Sequence, residues 1–244
     1  MRYFIWTDLR LIYSNKLLGF LWTLLDPLMM MLVYVLIVVV IFQRGGPQFP
    51  VLLFSALLAW RWFTFAIVGS VKSLTGKAKL IQTMRFPKAV LPLSRVLVGL
   101  VNYLFGLLAL VPLLFIFKAK FTVHMLWMPA LLAIQLLFTL GLAFLFAALG
   151  IYFRDLENIL QFGLRLWFYL SPGLYSIEDR ISERWVQIYM LNPFASLFES
   201  YKNVLVRGKP PNAYIGIALF WAVAFFVVGW MFFVFKEPQF AKDV

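Results

Sequence analysis

Few side chains in this 244-residue sequence have the reactivity for catalysis. His124 is the one histidine, and cysteine is absent. A zinc site needs three or four His, Cys or carboxylate ligands, and a catalytic nucleophile needs a base beside it. Neither set can be assembled, since no two carboxylates share an apolar stretch and His124 falls on a short loop, where it reads as a solvated residue. Disulfides and thiolate chemistry are excluded with cysteine. Gly76-Lys77 has the look of a phosphate-binding loop, but that pattern needs a glycine where Val71 stands and Ser or Thr where Ala78 stands. No catalytic, metal or cofactor site is expected in the chain itself. Uphill work would be driven by a partner or an ion gradient.

Ion-coupled carriers keep acids or broken helices at the membrane midplane. The one candidate acid is Asp26, before Pro27 near the start of the first apolar run, too shallow for that role. No second half of the chain resembles the first, which weakens the ion-coupled reading further.

What remains is positive charge set against aromatic and apolar surface. Arg61 stands between Trp60 and Trp62, and Arg165 precedes Trp167, Phe168 and Tyr169. At ~1.5 Å per residue these arginines lie roughly 15 and 12 Å into their apolar runs. A guanidinium at such depth costs at least ~2.5–3.5 kcal/mol unless it faces protein or a wet path. Aromatic rings suit the C–H faces of sugars, and guanidinium suits hydroxyls and phosphates. Two arginines among aromatics therefore suggest a lined conduit; the competing reading is helix–helix glue with an ordinary aromatic belt. Arg95, early in the third run, is read as structural, with Asp26 as its partner at similar depth.

These residues must be held by membrane helices. The chain is 64% hydrophobic and 13% charged, with a mean hydropathy of +0.91, whereas soluble domains are ~45–50% apolar and ~25% charged. The net charge of +12 flanks apolar runs instead of forming a solvated stripe, so lipid headgroups and not nucleic acid are its expected partners. An all-α integral membrane domain over 1–244 is expected, with six spans at 24–42, 51–71, 89–117, 127–152, 157–175 and 213–235. The N-terminus does not read as a signal peptide, because Asp8 and Arg10 interrupt it early. Residues 1–20 read instead as an amphipathic helix lying at the interface, the alternative being the start of the first span. With both termini inside, cytoplasmic segments hold eleven Lys and Arg and outer segments eight. The short loops decide that orientation.

Two connecting stretches stand out. Lys72–Lys88 carries Lys72, Lys77, Lys79, Arg85 and Lys88 and no acid. Within it Leu74, Ala78, Ile81 and Met84 recur at helical spacing, Thr75 can cap, and Pro87 turns Phe86 away from helix. A short helix at 74–86 is expected across the cytoplasmic mouth, placed to receive a push from a soluble partner through its apolar face, with its lysines on the membrane. The alternative is a basic tether to anionic headgroups. Residues 176–212 are too short and broken to span, and read as a re-entrant hairpin on the outer face, or as a surface helix there.

The runs NKLLGFLWTLLDPLMMMLVYVLI, SLTGKAKLIQTMRFPKAVLPLSRVLVGLVNY and YFRDLENILQFGLRLWFYLSPGLYSIEDRISERWVQIYMLNPF resemble the membrane subunit of bacterial ABC-type polysaccharide exporters, the O-antigen and teichoic acid export permeases. The most specific motifs are Arg85-Phe86-Pro87-Lys88, Arg154-Asp155-Leu156, and the pair Ser171-Pro172 and Leu191-Asn192-Pro193. The resemblance implies the type-2 ABC exporter permease fold: a homodimer in the bacterial cytoplasmic membrane docked on two copies of a cytoplasmic ATP-binding subunit, which holds ATP and Mg. It makes 1–20 an interface helix, 74–86 a coupling helix (Lys77, Leu80, Ile81, Met84, Arg85, Phe86, Pro87), and 176–212 an outer gate region. The gate itself would be formed by Ser171, Pro172, Asn192 and Pro193, and the cargo would be a lipid-linked glycan. Asp26 stands where many relatives carry glutamine. Trp60, Arg61, Trp62, Arg165, Trp167, Phe168 and Tyr169 are conduit candidates from chemistry alone. A sister exporter of drugs or small lipids stays open, as does a membrane-embedded transferase acting on lipid-linked sugars, although the latter lacks an intramembrane base.

Overall fold

The computed structural model describes residues 22–84, 86–175 and 183–243. The expected interface helix at 1–20 and Arg85 lie outside the described residues, as do 176–182 of the outer segment. Among the described residues every regular element is helical. We number them α1 (Trp22–Val35), α2 (Phe49–Val71), α3 (Ala78–Thr83), α4 (Val90–Ile116), α5 (Met128–Tyr152), α6 (Leu156–Leu170), α7 (Glu183–Tyr189), α8 (Pro193–Lys202), α9 (Ile215–Lys236) and α10 (Phe240–Asp243). α1 runs on into a π-helical turn at Leu36–Ile41, and α8 into another at Asn203–Arg207.

Five helical stretches are long and apolar enough to cross a membrane: Leu24–Ile41, Phe49–Val71, Val90–Ile116, Val123–Tyr152 and Ile215–Asp243. The expected span at 157–175 is helical only as α6, whose 15 residues fall short of the ~20 that a bilayer core asks for. Asn158, Gln161 and Arg165 interrupt its apolar surface, and Ser171-Pro172-Gly173 ends it. A β-carbon on Gly173 would stand 2.7 Å from the Phe168 ring, so the turn folds tightly back on the helix.

α2 is the hub. Its apolar window is 72% buried, against 11% for α1, which leaves most of its own surface outward. Close backbone approach allows the tight packing around it, as small residues do in membranes. At the α5–α9 crossing a β-carbon on Gly229 would lie 2.0 Å from the Gly141 carbonyl oxygen, and one on Gly141 would lie 2.4 Å from the Phe225 carbonyl group. Near the other end of α5, a β-carbon on Gly150 would lie 2.4 Å from the Val71 carbonyl oxygen. Polar side chains add specificity inside the bundle. Gln135 on α5 donates to the Ala59 carbonyl of α2 at 2.7 Å and accepts from the Tyr201 hydroxyl of α8 at 2.7 Å.

The bundle has two distinct ends. The basic loop 72–89, the α5–α6 junction and α10 meet at one; the π turns, the α4–α5 connection and the start of α9 meet at the other. We call these the loop end and the far end. Gly229→Leu is expected to prise α5 from α9 and cost ~1–3 kcal/mol through overpacking. Gly163→Ala, with no atom within 4 Å of the added carbon, should be neutral. Thermal unfolding in detergent checks both.

Candidate functional site

At the loop end the chain turns from α2 through a 3-10 turn at Thr75–Lys77 into α3. Leu74 and Ile81 point inward and are buried with Leu91, Phe144, Phe233 and Phe240, and half-buried Phe86 packs on the same cluster. This corrects the expectation that the apolar face of the loop is left open for docking. Ile81 anchors the loop to the bundle, Leu80 is half-buried, and Met84 is 59% exposed. The outward ridge consists of Lys79, Thr83 and Met84, with Thr75 and Gly76 at its start.

The flanking lysines hold protein and not only headgroups. Lys72 makes an ion pair with Glu157 at the start of α6. The Lys88 backbone N–H donates to Glu237 Oε1 at 2.9 Å, its ammonium donates to the Glu237 carbonyl oxygen at 2.8 Å, and it sits 5.9 Å from the Phe240 ring centre. Both ends of the loop are thereby tied to helices distant in sequence. Glu157 and Glu237 were readable as a helix-start acid and a tail acid, but nothing in their spacing named their partners.

Higher in the bundle the aromatic residues form a packed cluster. Trp60 is buried, 4.8 Å from Phe194, 5.4 Å from Phe63, 5.6 Å from Phe168 and 6.1 Å from Trp167, ring centre to centre. Such pairs add ~0.5–1.5 kcal/mol beyond area burial. Trp62 is buried on the opposite side of α2, donating to the Val96 carbonyl at 3.1 Å over Gly99 and 5.4 Å from Tyr103. Trp60, Trp62 and Phe168 therefore face no open path in this chain: the glue reading holds for them. Trp167 is half-buried, while Arg61, Arg165 and Tyr169 are exposed. The Tyr169 and Tyr34 hydroxyls lie 3.2 Å apart, bridging α6 and α1.

Asp26 forms its ion pair with Arg61, not with Arg95 as expected from matching depths. A long guanidinium can reach along the helix toward its partner, which closes the depth difference. Arg95 instead lies over α2, its Cδ 3.4 Å from a β-carbon placed on Gly69.

The two Pro-containing turns come together. Asn192 Oδ1 caps α8 by accepting from the Phe194 N–H at 3.1 Å, and it also accepts from Trp167 Nε1 at 3.1 Å. Its amide donates to Ser171 Oγ at 2.9 Å, and that hydroxyl donates to the Trp167 carbonyl at 2.8 Å. Pro193 opens α8 as the first helical residue, where its missing N–H costs nothing. At the other end of α8 the buried Lys202 ammonium donates to the Pro172 carbonyl, to the Tyr175 carbonyl at 3.0 Å and to Glu199 Oε1 at 3.0 Å. All three of its protons are used. Arg207 donates to Glu199 Oε2 at 2.9 Å. Glu199, Lys202 and Arg207 were missed as a group; their i, i+3 and i+8 spacing was the available signal.

Among the described residues no three His, Asp or Glu side chains converge to hold a metal ion. The profile of the ABC-2 type transporter family matches residues 1–206. The O-antigen export system permease protein RfbA of Myxococcus xanthus is 33% identical over 245 residues, covering 97% of this chain and 92% of that protein. A Klebsiella pneumoniae protein of the same name is 32% identical over 236 residues, covering 96% of this chain and 91% of its own length.

Two outcomes check this geometry. Asp26→Arg and Arg61→Asp should each lower the melting temperature of the purified protein, and their combination should recover most of the loss; a combination as weak as the worse single change contradicts the pair. Lys202→Met leaves Glu199 Oε1 and two carbonyls without their donor and should cost ~3–5 kcal/mol, the range for breaking a buried pair.

Proposed function

This chain belongs to the ABC-2 type transporter family, and on that premise we propose that it is the permease of an ATP-driven exporter that moves a lipid-linked polysaccharide across the bacterial cytoplasmic membrane. The observation that carries the reading is its similarity, along nearly its whole length, to permeases named for O-antigen export. In this reading two copies of the chain sit on two copies of a cytoplasmic ATP-binding subunit, which holds ATP and Mg. Both termini are cytoplasmic, so the loop end is the inner face and the far end the outer face.

The arrangement supports a transmission role for the basic loop. A push on the ridge of Lys79, Thr83 and Met84 bears on a loop that Leu74 and Ile81 key into the bundle. From there the Val71–Gly150 contact passes displacement to α5, the Lys72–Glu157 pair to α6, and the Lys88–Glu237 bonds to the end of α9. α6 carries it to the joint of Ser171, Pro172, Asn192 and Pro193, which acts as the outer gate. α6 and the broken segment α7–α8 together make the sixth crossing, with α7–α8 re-entrant. α8 has all ten of its residues buried, the condition under which interrupted backbone is tolerated at membrane depth.

The conduit reading narrows to the exposed seam of α1, α2 and α6. Arg61, Arg165 and Tyr169 lie on it, and α1 leaves most of its surface for lipid or the second copy. A carboxylate, a guanidinium and tyrosine hydroxyls there suit a hydroxyl-rich glycan, while buried Trp60 and half-buried Trp167 stiffen the wall behind them.

The test is reconstitution with the co-encoded ATP-binding subunit. ATP-dependent loss of a lipid-linked glycan from the cytoplasmic-facing leaflet is expected, and transport of small lipids alone would redirect the reading to a sister exporter. In the same system Lys79→Glu combined with Met84→Asp should leave assembly and ATP hydrolysis intact and lower export at least about ten-fold, the effect of ~1.4 kcal/mol lost from coupling. Buried Ile81→Ala should instead destabilise the permease by ~2–5 kcal/mol.

A further inference from the structure

A cavity of about 750 Å³ opens at the far end, between the α1–α2 connection, the end of α4 and the turn after α6. Among the described residues, four cations line it, Arg44, Lys118, Lys202 and Arg207, and no acid does. Glu199, behind the wall, takes up Lys202 and Arg207. Among the described residues neither Arg44 nor Lys118 has an acidic partner. Among the described residues, and with Glu199 counted, the group keeps three positive charges in excess.

The backbone around the cavity is unusual as well. Lys118 holds φ at 52° and neighbouring Gln43 at 51°, the two non-glycine residues with positive φ among those described. Such conformations are strained and gather at functional sites, where the surrounding structure holds them. Both π turns end at the same place, Val38 from one and Arg207 from the other lining the wall. π turns recur at functional sites.

The lining is two-toned. Phe49, Leu52, Leu53 and Leu174 lie alongside the cations, and the cavity sits where the apolar helices end, at the level of lipid headgroups. A ligand with a multiply charged head on an apolar tail matches both halves, and Arg and Lys are the residues that recognise phosphate.

We propose that this cavity binds the phosphoryl head of a membrane lipid, with Arg44 and Lys118 as its free recognition groups. Its occupant is either bulk anionic phospholipid or an isoprenoid diphosphate of the kind that carries glycans. The site stands on its own geometry and does not depend on the exporter reading.

Purified permease without any ATPase tests it, by thermal shift and native mass spectrometry. The probes are farnesyl diphosphate, phosphatidylglycerol, phosphatidylcholine and inorganic pyrophosphate. Saturable stabilisation by farnesyl diphosphate or phosphatidylglycerol, and none by phosphatidylcholine, is expected. Arg44→Gln combined with Lys118→Asn should weaken it at least ten-fold, and asparagine tolerates the left-handed backbone at that position. Preference for farnesyl diphosphate identifies the isoprenoid source, and preference for phosphatidylglycerol the bulk lipid. Inorganic pyrophosphate binding as tightly as either lipid would remove the lipid from the proposal and overturn it. Unchanged affinity in the double variant overturns it, and so does an equal loss in Lys242→Gln at the opposite end, which would mark a net-charge effect.

Discussion

A hydrocarbon interior supplies no partner for a polar group, so a strongly polar side chain carried into the bundle is held by complements within the chain. Gln135 shows what that imposes. Its amide is spent on the Ala59 carbonyl and its carbonyl on the Tyr201 hydroxyl, which pins α2, α5 and α8 in one register. Lys202 does the same near the far end, gathering the carbonyls after α6 and the Glu199 carboxylate around one buried ammonium. Without these pairings the broken segment could not be held inside the helices. With them, a helix too short to span is continued by a second one that is wholly enclosed.

The same rule shapes the loop end. Charges there could be left to water, yet Lys72 and Lys88 are tied to Glu157 and Glu237. An isolated exposed ion pair contributes little to stability, so these ties matter more as mechanical joints than as sources of free energy. They connect one small loop to the start of α6 and the end of α9. In the proposed transmission, a displacement of the loop would be shared by α5, α6 and α9.

Much of this was legible in the sequence because apolar length and Lys/Arg placement are strong one-dimensional signals. The loop, the break after Leu170 and the kinship of the Ser-Pro and Asn-Pro turns were all visible before any coordinates. Partner identity was not. Helical spacing put Ile81 on an apolar face, but not whether that face looks at solvent or at Phe233 and Phe240. Counting residues placed Asp26 and Arg95 at matching depth, and the reach of Arg61 overrode the count. The tryptophans around Arg61 could line a path or fill a core, and only their ring distances decide for the core. Lys118 and Arg44 offered no pattern at all, since the cavity they share is made by loops far apart in sequence.

The central claim is that the ridge of the basic loop is the surface on which an ATP-binding partner pushes. The absence of native cysteine allows Met84→Cys to be the one labelling site in the chain. Its rate of alkylation should be followed with and without the co-encoded ATP-binding subunit, and again after adding a non-hydrolysable ATP analogue. The account predicts that complex formation slows labelling at least several-fold, and that the nucleotide changes the rate again. An assembled complex in which the cysteine reacts as fast as in the free permease would contradict it.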